Sequence, residues 1–151
     1  MRLTPGINNS RDLFQKLKRD ADRLKKEGSS NADAMFDFVV TAHHLKEWIK
    51  QDNTMPREAK RQLSAVERTP QLRMCADIAN ASKHFLRVPR NAYIRGVRSL
   101  RGLGIGRIGT GPIGHGEQVI TIELDTGKVI HALNFCMEVL ELYRPLFEVS
   151  E

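Results

Sequence analysis

Residues 101–117, RGLGIGRIGTGPIGHGE, decide what kind of fold this chain has. They contain GIGRIG, which satisfies the G-x-G-x-x-G pattern of a dinucleotide-binding loop. That pattern cradles a pyrophosphate only where a buried strand runs into it and a helix grows out of it, because the N–H groups at the helix start hold the phosphates. Neither neighbour is present. The residues ahead of it, NAYIRGVRSLRG, are broken by arginines rather than continuously apolar, and Thr110-Gly111-Pro112-Ile113-Gly114 cannot carry a helix. The stretch reads instead as a glycine loop joining two strands, either an adaptable lid or a plain hairpin tip.

The flanking residues agree with that reading. Residues 92–100 and 118–124 (QVITIEL) are short, rich in β-branched side chains and alternating in places, which predicts the two strands of a hairpin. LDTGK (124–128) is a turn, and helical spacing resumes from about Ile130 to Phe147, with Pro145 kinking or ending that helix. Upstream the period is helical. Ser10 is placed to cap a helix over residues 11–27, where Leu13, Leu17, Ala21 and Leu24 share a face and Gly28 supplies the stop. Ser30-Asn31-Ala32-Asp33 caps a second helix to about Gln51, and Pro56 sits near the first turn of a third over 56–67. Pro70 opens a fourth, reaching about Leu86 before Pro89 stops it. The expected fold is predominantly α, of α+β type: a helical bundle of four to five helices with a β-hairpin inserted before the C-terminal helix. One domain of 151 residues is expected, with the bundle at 10–86 and 130–148 and the hairpin with its glycine loop at 91–125.

The net charge of +6 is concentrated. From Ile78 to Gly116 there are seven cations, Lys83, Arg87, Arg90, Arg95, Arg98, Arg101 and Arg107, and no Asp or Glu, which leaves 17 basic against 18 acidic residues elsewhere. Six of the seven are arginines, whose planar fork suits phosphate oxygens. Such a segment is the footprint of a polyanion site, so these seven are the candidate phosphate-binding residues and RNA or DNA the first expected partner. Only Phe85 and Tyr93 interleave with them, which favours backbone recognition over base stacking. Cys75 and Cys136 fall within helical apolar patterns and read as reduced core thiols. With no apolar leader and no membrane-length run, a cytoplasmic protein off the membrane is expected.

Two polar stripes carry the remaining chemistry. Asp37, Thr41, His44 and Trp48 recur at i, i+4, i+7 and i+11, within an arc of about 60°. Arg73, Asp77, Asn80 and His84 repeat that spacing on the fourth helix. Apolar neighbours on both sides make Asp37 and Thr41 hard to place in plain solvent, so Asp37 calls for a partner. If the second and fourth helices are neighbours, Arg73, Asn80 and His84 are the candidates. The alternative is that the second stripe is a wet helix face with an Arg73/Asp77 ion pair, and that Trp48 simply packs. No H-E-x-x-H or paired C-x-x-C motif is present, so no metal and no cofactor are expected.

TAHHLKEW, then CADIANASKHF, closed by the DTGK turn and a C-terminal helix, resembles a loose group of small uncharacterised bacterial helical proteins and, more distantly, the HEPN domains. HEPN domains are helical bundles, many of them metal-independent ribonucleases of toxin and defence systems with an R-x4-6-H motif. The resemblance implies His84 as catalytic histidine, acting on the 2′-hydroxyl or the leaving oxygen, with Asn80 supporting it. Asp77 or Asp37 would orient the ring, and His44 is the further candidate. The motif itself is not matched, because the nearest upstream arginine, Arg73, is eleven residues from His84. Three functions follow as expectations: nucleic-acid binding by the basic hairpin, RNA cleavage at His84, or a non-enzymatic module that meets an acidic protein or a second copy of itself.

Overall fold

A computed structural model describes residues 4–26, 32–81, 93–101 and 118–148. Helices α1 (Ser10–Lys26), α2 (Ala32–Gln51), α3 (Arg57–Glu67) and α4 (Pro70–Ala81) precede strands β1 (Ile94–Arg101), β2 (Gln118–Leu124) and β3 (Val129–His131), and α5 (Ala132–Glu148) closes the described chain. The strands form one antiparallel sheet in the order β1-β2-β3. The bundle with a β element ahead of its last helix is therefore the fold. The expected continuation of the fourth helix to Leu86, and the caps at Gly28 and Ser30-Asn31, lie outside the described residues.

Helix starts follow local chemistry. The cap of α1 is Asn9 rather than Ser10: its side-chain oxygen accepts the Asp12 N–H at 2.9 Å, and Asp12 in turn accepts the Asn8 N–H at 2.8 Å. Ser10 is already helical and wholly buried, and its own N–H is taken by the Asp52 carboxylate at 2.7 Å. Thr69 starts α4, its hydroxyl accepting the Leu72 N–H at 3.4 Å with Pro70 in the first helical position.

The core is organised around α2. Phe38, Val39, Ala42, Leu45 and Ile49 are completely shielded, and α1, α3, α4 and α5 all pack on this helix. Across the core Tyr143 of α5 donates its hydroxyl to the Ala42 carbonyl at 2.6 Å. The sheet meets α5 through β2 and β3, with Ile120 and Ile122 buried.

The C-terminal expectations are refined. Residues 129–131 are a third strand, pairing Val129 with Glu123 and His131 with Thr121, so α5 begins at Ala132 rather than Ile130. Gly127, at φ +83°, closes the turn by donating its N–H to the Leu124 carbonyl, and that geometry sends the chain back along β2 before any helix can start. Of the two expectations for Pro145, kinking or ending α5, the second is excluded, because the helix runs on to Glu148. Its missing N–H falls near the helix end, where Phe147 stacks on Phe14 of α1 at 4.4 Å and its carbonyl accepts from Arg11 at 3.0 Å.

Gly127→Ala is expected to cost about 1 kcal/mol, because an L side chain in left-handed backbone is strained; urea unfolding at constant m-value reads it. A second expectation concerns acid. Burial pushes the Asp52 carboxyl up, but the Thr54 hydroxyl and the backbone N–H groups of Ser10 and Thr54 together outweigh it and hold the pKa at about 2. Because the folded value lies below the unfolded one, near 4, this contribution of about 1–2 kcal/mol is complete above about pH 4 and lost as pH falls toward 2. Asp52→Asn should flatten that part of the stability profile.

Candidate functional site

The basic hairpin is set on the bundle by Tyr93, immediately ahead of β1. Its backbone N–H donates to the Asp77 carboxylate at 2.8 Å, and its hydroxyl accepts from the Arg73 guanidinium at 2.7 Å, with that guanidinium 5.6 Å from the ring centroid. The Tyr93 carbonyl also accepts the Asp125 N–H at 2.9 Å, which ties the start of β1 to the β2–β3 turn. Arg73 and Asp77 thus hold the hairpin rather than each other, and the wet-face ion pair does not form. Asn80, one turn further along α4, is exposed.

On β1 the phosphate candidates separate. Between Ile94, opposite Leu124, and Gly96, opposite Glu123, the register slips by one residue, and Arg95 sits exposed at that bulge. Arg98, paired across from Thr121, is 69% exposed and contacts Glu123 diagonally at 3.0 Å. One such contact occupies one edge of a guanidinium that has five N–H donors, so Arg98 keeps donors for a second acceptor. Arg101 closes β1 opposite Gln118. Lys83, His84, Arg87, Arg90, Arg107 and the glycine loop from 102 to 117 lie outside the described residues.

Beside the hairpin, Val97 and Ser99 of β1, Ile120 of β2, Met35 and Phe36 of α2 and Ile78 of α4 line an apolar groove of about 260 Å³. Phe36 and Val97 remain over 40% exposed in it. This groove sits at the N-terminal end of α2.

The stripe on α2 faces elsewhere. Asp37 and Thr41 find their partners on α1 rather than on α4, and of the expected assembly of Asp37 and His44 with Arg73, Asp77, Asn80 and His84, the last lies outside the described residues. Asp37 meets Arg23 of α1 at 3.3 Å, and the buried Thr41 hydroxyl accepts from Lys16 at 2.9 Å beside Asp20, which Lys16 also contacts at 2.6 Å. His44 is exposed on α2, its ring 5.4 Å from and tilted to that of His43. The cause is connectivity: a connection of a few residues makes α1 and α2 antiparallel neighbours along their whole length. Lys16 and Asp20 satisfy the polar seam that the sequence reading assigned to α4, and their i, i+4 spacing on α1 was the available signal.

Cys75 and Cys136 are both free and buried. Burial pushes the Cys75 thiol to about 12, with Lys46 opposing, and pushes Cys136 well above its ordinary value, with Cys75 adding to it; neither is a nucleophile near neutral pH. Among the described residues no group of His, Cys, Asp and Glu is arranged to hold a metal ion, and no helix is long and apolar enough to cross a membrane. No protein-family model matches the chain, and neither a curated protein nor a solved structure matches it.

The two ion pairs on the α1–α2 seam should behave differently. Lys16→Met leaves the buried Asp20 carboxylate without its cation and is expected to lower stability by about 2 kcal/mol. Asp37→Asn removes only a half-exposed partner of Arg23 and should stay within about 0.5 kcal/mol. Chemical denaturation of the two variants side by side measures the difference.

Proposed function

We propose that the protein binds the phosphate backbone of RNA or DNA through its basic hairpin. The observation that supports this reading best is that Arg95 and Arg98 stand exposed on an edge strand, inside a segment that carries seven cations and no acidic residue. Arg73 and Tyr93 brace the base of that strand, so the arginines are presented on a supported element. Tyr93 is half-buried under a guanidinium, which suits it to anchoring rather than to base stacking and keeps recognition on phosphate and shape.

Six or so phosphate contacts would lower affinity by a factor on the order of a thousand over a fourfold rise in salt. Fluorescence anisotropy with single- and double-stranded RNA and DNA across a salt series tests this. Replacing Arg95 and Arg98 by alanine is expected to weaken binding to every sequence alike and to reduce the logarithmic salt slope by about two. Glu123→Gln, which releases Arg98 from its diagonal partner, is expected to tighten binding about threefold. Absence of binding at low salt would overturn the proposal. RNA shortened by the parent protein and left intact by His84→Ala would add catalysis, and a salt-insensitive stoichiometric protein complex would replace the proposal with an interaction module.

A further inference from the structure

A second concavity lies at the opposite end of α2 from the hairpin. A helix of that length spans about 30 Å, so the two sites do not share side chains. It is an open crease of about 570 Å³ where the start of α1 meets the end of α2, within the size range of small-molecule sites. Trp48, the chain's single tryptophan, packs one side on the core and lines the crease with the other. The remaining wall includes four carboxamides, Asn8, Asn9, Gln51 and Asn53, together with Asp52 and Thr54.

Two features define what such a wall accepts. Among the described residues no Lys or Arg lines it, whereas Asp52 contributes a carboxylate held in place by the Ser10 N–H at 2.7 Å and by the Thr54 N–H and hydroxyl at 2.8 and 2.7 Å. A fixed negative charge with no cation among these lining residues disfavours phosphate and other anions. A carboxamide, by contrast, presents a donor and an acceptor side by side in one plane, the pattern that pairs with the edge of a nucleobase, adenine's N6/N7 edge above all. The flat indole supplies the matching stacking surface. Gln51 and Asn53 are exposed at the rim and are available for that edge.

We infer that this crease is a binding site for an uncharged nucleobase, stacked on Trp48 and read at its edge by Gln51 and Asn53, with nucleosides preferred over nucleotides. The site is independent of the hairpin, and its failure would leave the backbone-binding proposal standing.

Because Trp48 is the only indole, fluorescence excited on the red edge, where the two tyrosines do not absorb, reports on this crease alone. The full chain is titrated with adenosine, with its 5′-monophosphate and with a neutral disaccharide. Adenosine is expected to quench Trp48 saturably, and the monophosphate to bind about tenfold more weakly, repelled by Asp52. Gln51→Ala and Asn53→Ala, exposed positions that keep the reporter, should each weaken adenosine about fivefold, while Arg95→Ala and Arg98→Ala leave it unchanged. No saturable quenching by adenosine, tighter binding of the monophosphate, or saturation by the disaccharide instead would each overturn the assignment.

Discussion

Phe38, Val39, Ala42, Leu45 and Ile49 are wholly shielded along α2, and a stripe that wide has to be covered by more than one neighbour. The bundle is the solution to that requirement: α1 closes one side, α4 another, and α5 lies across the remainder with Tyr143 reaching the Ala42 carbonyl. That last contact satisfies a phenolic hydroxyl that would otherwise be stranded in the core, and burial drives its pKa far above the ordinary value. Asp37 and Thr41 of α2 then lie on its seam with α1, while His44 and Glu47 stay exposed. Thr41 cannot avoid that seam, and the Lys16–Asp20 pair makes its burial tolerable.

The hairpin depends on the same bundle. β1 is an edge strand, and an edge strand carrying arginines needs a fixed origin if those charges are to act together. Tyr93 provides it: one residue ties α4, β1 and the β2–β3 turn through its N–H, hydroxyl, ring and carbonyl. The polar stripe on α4 is therefore a mounting for the basic arm. Glu123 adds a counterweight, holding Arg98 against the sheet and lowering the charge that it presents.

The two ends of α2 differ in character. At its N-terminal end Phe36 borders an apolar groove next to a cationic strand, and at its C-terminal end Trp48 borders a carboxamide-lined crease with a fixed carboxylate. The Asp52 turn that shapes the second also satisfies the first N–H of α1, so the α1–α2 pair is locked where the crease forms.

Periodicity and punctuation determined the helices and the hairpin strands flanking the glycine loop, because each depends on residues within a few positions of one another. The charge segregation was equally plain in the order of residues. Partners were not. Asp37 found Arg23 rather than a residue of α4, Asp77 found Tyr93 rather than Arg73, and three residues after Gly127 extended the sheet before helical spacing took over. Each of these choices was made by which element lies alongside in three dimensions. A stripe on a helix specifies that a partner is needed, and only the packed structure supplies its identity, because a hydrogen bond or ion pair is decided by ångströms across a seam and not by spacing along one chain.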